Sequence, residues 1–160
     1  MGDDMSSRER DAPDFGVLFA LAFGCYVEQL HAALGERGFV GIRSAFGPVL
    51  RALHAGDRTL TALARELGVS KQAVGRVVDE MRARGLVDQR PDPDDGRARI
   101  LSLTVRGHEM VRAAVEIADA FERSLADELG ADRARELRTA LEHIVERAGG
   151  DPAAPRVRIL

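Results

Sequence analysis

Ser70, Lys71, Gln72, Gly75 and Arg76 fall within seven residues and bring together a hydroxyl, an ammonium, a carboxamide and a guanidinium. No general base accompanies the hydroxyl, so the common chemistry of the group is hydrogen bonding rather than bond breaking. A carboxamide pairs two-pronged with an adenine edge and a guanidinium with a guanine edge, while Lys and Ser reach phosphate. Arg97 and Arg99 follow some twenty residues later, close after Asp95. They suit a second contact in a neighbouring minor groove. Such chemistry works only if rigid elements hold these side chains outward.

The stretch Leu60 to Gly85, LTALARELGVSKQAVGRVVDEMRARG, has the layout of a helix-turn-helix. Thr61 is placed to cap a short helix whose Leu63 and Leu67 face a core, and Gly68 suits the left-handed residue at its end. Val69 plugs the turn. Ser70 then caps a second helix of about four turns that ends before Gly85. Val74, Val77, Val78 and Met81 share one side of it at helical spacing, which leaves Gln72, Arg76, Asp79 and Ala83 on the other. Leu86 to Arg90 and Arg97 to Thr104 read as the two strands of a hairpin around the turn Pro91 to Gly96, whose Pro, Asp and Gly are turn formers. The hairpin would carry Arg97 and Arg99 beside the second helix.

Around this motif the chain is helical. A first helix is expected from about Asp14 to Leu34, closed by Gly35 and Gly38, with its first half apolar on every side. A second is expected from Arg43 to His54, with Ser44 as cap and Pro48 disturbing its early turns. Val111, Ala114, Val115, Ala118, Phe121 and Leu125, then Leu137, Leu141, Ile144 and Val145, mark two amphipathic helices separated by Gly130. The fold class read from this pattern is mainly α with a small β-wing. It joins a winged helix-turn-helix to a helical dimerisation region built from the N- and C-terminal helices. The boundaries are a disordered stretch 1–13, one domain 14–148 and a tail 149–160. Within the domain, 43–104 is the DNA-binding part and 14–34 and 105–148 are the dimerisation helices. A second copy of the chain is the natural cover for the apolar first helix.

Composition limits the function further. The chain has 160 residues and a net charge of −3, but its middle third is basic. From Arg51 to Arg106 there are 11 Lys+Arg against 8 Asp+Glu, which leaves 12 against 18 elsewhere. That asymmetry suits a domain that attracts phosphate with one surface. The lone Cys25 cannot make an internal disulfide, in keeping with a reducing compartment. The apolar run Phe15 to Val27 is shorter than the roughly 20 residues a spanning helix needs. Acidic residues dominate before it, against a secretory signal. A cytoplasmic protein without a membrane partner is expected.

Asp95-Gly96-Arg97 followed by Leu103-Thr104-Val105-Arg106-Gly107 resembles the D-x-R…L-T-x-x-G signature of the multiple-antibiotic-resistance regulator (MarR) family. The resemblance extends from Leu60 to Val87 and, more loosely, from Phe15 to Arg147. It implies a homodimer on a near-palindromic operator in double-stranded DNA, acting as a transcriptional regulator and, in many members, released by a small aromatic ligand or an oxidant. It also implies that Asp95 braces Arg97 at the wing.

Three other groupings stand out in the sequence. Phe19, Phe23, Tyr26, Phe39, Arg43 and Phe46 have the composition of an apolar pocket with one cationic handle, against core packing as the plainer role. Cys25 beside Tyr26 resembles the peroxide-sensing branch of the family, but one tyrosine departs from that pattern and a small buried hydrophobe is the simpler reading. Cys25, Glu28 and His31 stand at i, i+3 spacing without a fourth ligand, so no metal is assigned. No catalytic constellation or Gly-rich phosphate loop is visible, and neither an enzyme nor a cofactor is expected.

Overall fold

In the computed structural model, residues 12–96 and 98–150 are described. Arg97, the N-terminal eleven residues and most of the expected tail lie outside them. Helix α1 spans Phe15–Glu36, capped by Asp14, whose carboxylate accepts from the Val17 N–H at 3.0 Å. It runs two residues past the expected end and straight through Gly35. At 22 residues it is, by length and composition, long and apolar enough to cross a bilayer, unlike the shorter apolar run inside it. Its second half carries Glu28, Gln29, His31 and Glu36 and packs through Leu30 and Leu34 on the core.

Helix α2, Phe46–His54, starts three residues later than expected, with Ala45 and not Ser44 at its cap position. Pro48 sits in its first turn, where a missing N–H leaves no helical carbonyl unpaired, so the helix is not disturbed. Six of its nine residues are buried, Phe46 and Val49 completely. Strand β1 is only Arg58–Thr59 and leads directly into α3, Leu60–Leu67. The cap of α3 is Thr59, which accepts from the Ala62 N–H at 3.2 Å, and not Thr61. Gly68 closes α3 at φ 66°, where a Cβ would be strained.

Helix α4, Lys71–Ala83, is capped by the Ser70 hydroxyl on the Ala73 N–H at 3.1 Å and ends before Gly85 at φ 68°. Val74, Val77, Val78 and Met81 are all buried. The hairpin is β2, Val87–Pro91, antiparallel to β3, Arg99–Leu103, with Val87 opposite Leu103 and Pro91 opposite Arg99. Both strands are shorter or shifted relative to the expected ones, because Pro91 joins the ladder and the turn runs from Asp92 to Ala98. β1 pairs with the other edge of β3, which gives the sheet order β1-β3-β2. Helices α5, Val105–Leu129, and α6, Ala131–Arg147, complete the frame.

The core lies in the middle third and is closed by Leu34 and Phe39 together with Met110 and Ala113 of α5. The outer parts of α1, α5 and α6 have almost no cover. Among described residues Phe15 is 78% exposed, Phe23 61% and Ile144 46%.

Candidate nucleic-acid interface

Burial of the Val74, Val77, Val78 and Met81 ridge fixes which way α4 faces. Ser70, Lys71, Gln72 and Arg76 are consequently exposed along the opposite side, with Gly75 half-buried between them. Its cations Lys71 and Arg76 are held outward in water. Asp79, one turn beyond Arg76, faces Arg82 at 3.6 Å.

The wing stands beside this face. Its turn is closed by the Asp92 N–H donating to the Ala98 carbonyl at 3.2 Å and the Ala98 N–H to the Asp95 carbonyl at 2.8 Å. Asp92 also accepts from the Asp94 N–H at 3.0 Å, the Asx geometry that its residue types favour. Arg99 opens β3 and is exposed. Between α4 and the hairpin lies a crevice of about 430 Å³ whose wall includes Lys71, Gly75, Asp79, Gln89, Asp95 and Arg99. The fold thus gathers Lys71, Gly75, Asp95 and Arg99 around one recess and sets Gln72 and Arg76 on the adjoining helix face. The brace expected between Asp95 and Arg97 involves a residue outside the described ones. Gln89 joins this recess without being among the residues expected there, and the signal for it is its place two residues after buried Val87 on the same strand face.

The residues grouped as an aromatic pocket are not brought together. Phe46 is fully buried beneath Arg84, and Phe39 lies beneath Arg106. Phe19 and Phe23 are exposed on α1, and Arg43 is paired with Glu80. Tyr26 instead stands edge-on to Phe121 at 5.1 Å and lines a groove of about 470 Å³ between α5 and α6. Cys25 is exposed rather than buried, with no cover on that side of α1 among the described residues.

Residues 47–98 match a family model described as MarR family. An uncharacterized protein of Mycobacterium tuberculosis and one of Mycobacterium bovis are each 33% identical over 91 residues, covering 56% of this chain. The chain spans 64% of the length of those relatives. Among solved structures, the reduced form of MarR from E. coli superposes with a TM-score of 0.69 at 20% identity, over 84% of this chain and 98% of that one. The transcriptional repressor CouR, bound to a 23-mer DNA duplex, superposes with a TM-score of 0.65 at 27% identity, over 82% and 92%. The fold is that of MarR-type winged-helix proteins, and residues 47–98 are similar to the MarR family.

The segment Leu103 to Gly107, which resembles the MarR signature, has a physical basis in this chain. Leu103 is a core residue, and the Thr104 hydroxyl donates to the Gly85 carbonyl at 2.6 Å while accepting from the Gly107 N–H at 3.0 Å. Gly107 lies against the hairpin so closely that a Cβ there would overlap the Leu86 carbonyl oxygen. These residues join the wing, the end of α4 and the start of α5 in one joint, which positions the MarR-type surface relative to the long helices.

Proposed function

We propose that this chain is a DNA-binding transcriptional regulator, a repressor by default, that acts as a homodimer on a near-palindromic operator. The observation that carries the reading is the outward face of α4. A four-residue apolar ridge is buried on one side, and Gln72 and Arg76 are exposed on the other beside an arginine-bearing wing. In this reading α4 enters a major groove with its N-terminal half, Gln72 and Arg76 read base edges, and Ser70 and Lys71 hold phosphate. Gly75 lets the helix approach closely, and Arg97 and Arg99 serve the flanking groove. The DNA duplex held by CouR supports the choice of partner.

The uncovered apolar parts of α1 and α6 support the homodimer, because soluble monomers rarely leave such a surface bare. A cytoplasmic location follows from the proposed partner.

A mobility-shift titration against the DNA upstream of the protein's own gene, with scrambled DNA as competitor, tests the reading. The expected result is retention of the specific duplex at competitor excesses that remove non-specific binding. Arg99→Ala should weaken binding to all sequences and lower the salt slope by about one unit, whereas Arg76→Ala should change base preference at one position of each half-site. Equal losses on specific and scrambled DNA for both variants would remove Arg76 from base reading.

A further inference from the structure

The segment between α1 and α2 is fastened to two parts of the molecule by arginines. Toward α5, Arg37 donates to the Glu116 carboxylate at 2.7 Å and to the Ala113 carbonyl at 3.3 Å. From α5, Arg106 donates to the Gly38 carbonyl at 2.8 Å, and its guanidinium lies over the Phe39 ring at 4.9 Å. Toward α4, Arg43 donates to the Glu80 carboxylate at 2.6 Å. Arg84 of the same helix end donates to the Glu80 carbonyl at 2.9 Å and lies over the Phe46 ring at 5.4 Å. It also rests against Gly41, where a Cβ would come within 3.4 Å of the guanidinium. Residues 37–39 thus grip α5, and residues 41–46 grip the C-terminal half of α4.

Both aromatic anchors are buried, Phe39 at 7% exposure and Phe46 at 0%, so the segment is seated in the core at two points and bridges them. Glu80 stands about 12 Å along the helix axis from Gln72, at 1.5 Å per residue. The apolar ridge from Val74 to Met81 holds α4 against the core, and the polar contacts add a second, directional grip on its C-terminal half. A helix gripped at the far end has its near end aimed by that grip.

We propose that segment 37–46 is a strut that sets the angle of α4 to the long helices, with Glu80 as its positioning residue, and that it thereby fixes the half-site spacing the dimer accepts. The proposal rests on the dimeric DNA-binding reading above. Half-sites read by a two-fold dimer lie about 34–36 Å apart, one helical turn. The two-fold axis doubles any angular error at one α4 in the separation of the pair. The Arg43 and Glu80 side chains are 58% and 35% exposed. Exposed pairs of this kind contribute little to folding stability. Their loss is therefore expected in geometry rather than in melting temperature.

The test uses the full chain with Cys25→Ser and a spin label at Ala83→Cys, in which the label-to-label distance distribution of the dimer is measured without DNA. Glu80→Gln and Arg43→Gln should each broaden that distribution while melting temperature and dimer mass stay the same. The two changes together should do no more than either alone, because they remove one interaction. In DNA titrations of unlabelled protein, the preference for the operator over the same operator with one base pair inserted between half-sites should fall about fivefold in either variant. Unbroadened distributions in both variants, or equal losses on both spacings, overturn the strut. If unaltered protein shows no specific DNA binding while the distances broaden as expected, the regulator reading and the spacing role fail and only the angle-setting strut stands. A monomeric parent protein overturns both.

Discussion

At the scale of single residues, Tyr26 offers a clean measurement because it is the one tyrosine of a chain without tryptophan. Burial raises its phenol pKa first, the nearby Glu122 carboxylate raises it further, and Arg51 opposes both. The sign of the consequence follows from proton counting. Above pH 10 the unfolded chain releases this proton while the folded one retains it. The stability tied to the neutral phenol is therefore complete below about pH 10 and is lost as pH rises through the folded value. Tyrosinate absorbance should accordingly appear at higher pH in native protein than in urea, and Tyr26→Phe should remove the signal altogether. A native titration that coincides with the urea curve would contradict the burial of Tyr26 against Phe121. Thr104 gives a second residue-scale expectation. Thr104→Val leaves the Gly85 carbonyl and the Gly107 N–H without their partner, at a cost of about 1–2 kcal/mol in a urea melt. Thr104→Ser should recover most of that loss.

At the scale of elements, the decisive contact is between the first turn of α5 and the end of the hairpin. A methyl group at Gly107 would strike the Leu86 carbonyl oxygen and press on the Leu103 Cβ at 3.3 Å. The same carbonyl already accepts from the Thr104 N–H at 3.1 Å, so it has little freedom to retreat. Gly107→Ala should therefore cost about 1–3 kcal/mol through forced backbone shifts, whereas Gly24→Ala, with open space around its Cβ position, should be tolerated. Calorimetric melting of the two variants checks the contrast. The sequence made α4 legible because its signals are local: a serine cap, four apolar residues at helical spacing and a glycine past the end. The start of α3 was ambiguous for an equally physical reason. Thr59 and Thr61 are both able to cap, and Thr59 prevails because pairing with Ile100 holds it in the extended conformation a cap requires. β1 itself is two residues long and exists only through β3, so no local pattern announces it. The same holds for the recess that joins Lys71 and Gly75 to Asp95 and Arg99: sequence separation hides it, and only the hairpin register brings it about. Composition was likewise a poor guide to the aromatic residues, since Phe46 was drawn into the core and Phe19 left outside it.

At the scale of the whole molecule, the inner third is a closed core and the long helices are not. Leu137, Leu141, Ile144 and Val145 of α6 are each at least 40% exposed, as are Phe15, Phe19 and Phe23 of α1. Light scattering should give twice the 17.4 kDa chain mass at micromolar concentration. Phe19→Glu and Ile144→Glu should shift the protein toward monomer without unfolding the middle third, because neither residue belongs to the core cluster. Melting temperature should also rise with protein concentration, as it does wherever association completes the folded state. The bare strip of α1 has one more consequence, and it concerns dilution. From Phe15 to Val27 the helix carries no charge, and ten residues of it stand in solvent. A subunit separated from its partner is therefore surface-active, and will adhere to lipid or plastic much as an interfacial amphiphile does. Recovery from dilute solution should fall steeply below the dissociation constant and be restored by a mild detergent, whereas Phe19→Glu should reduce the loss even though it increases the fraction of lone subunits.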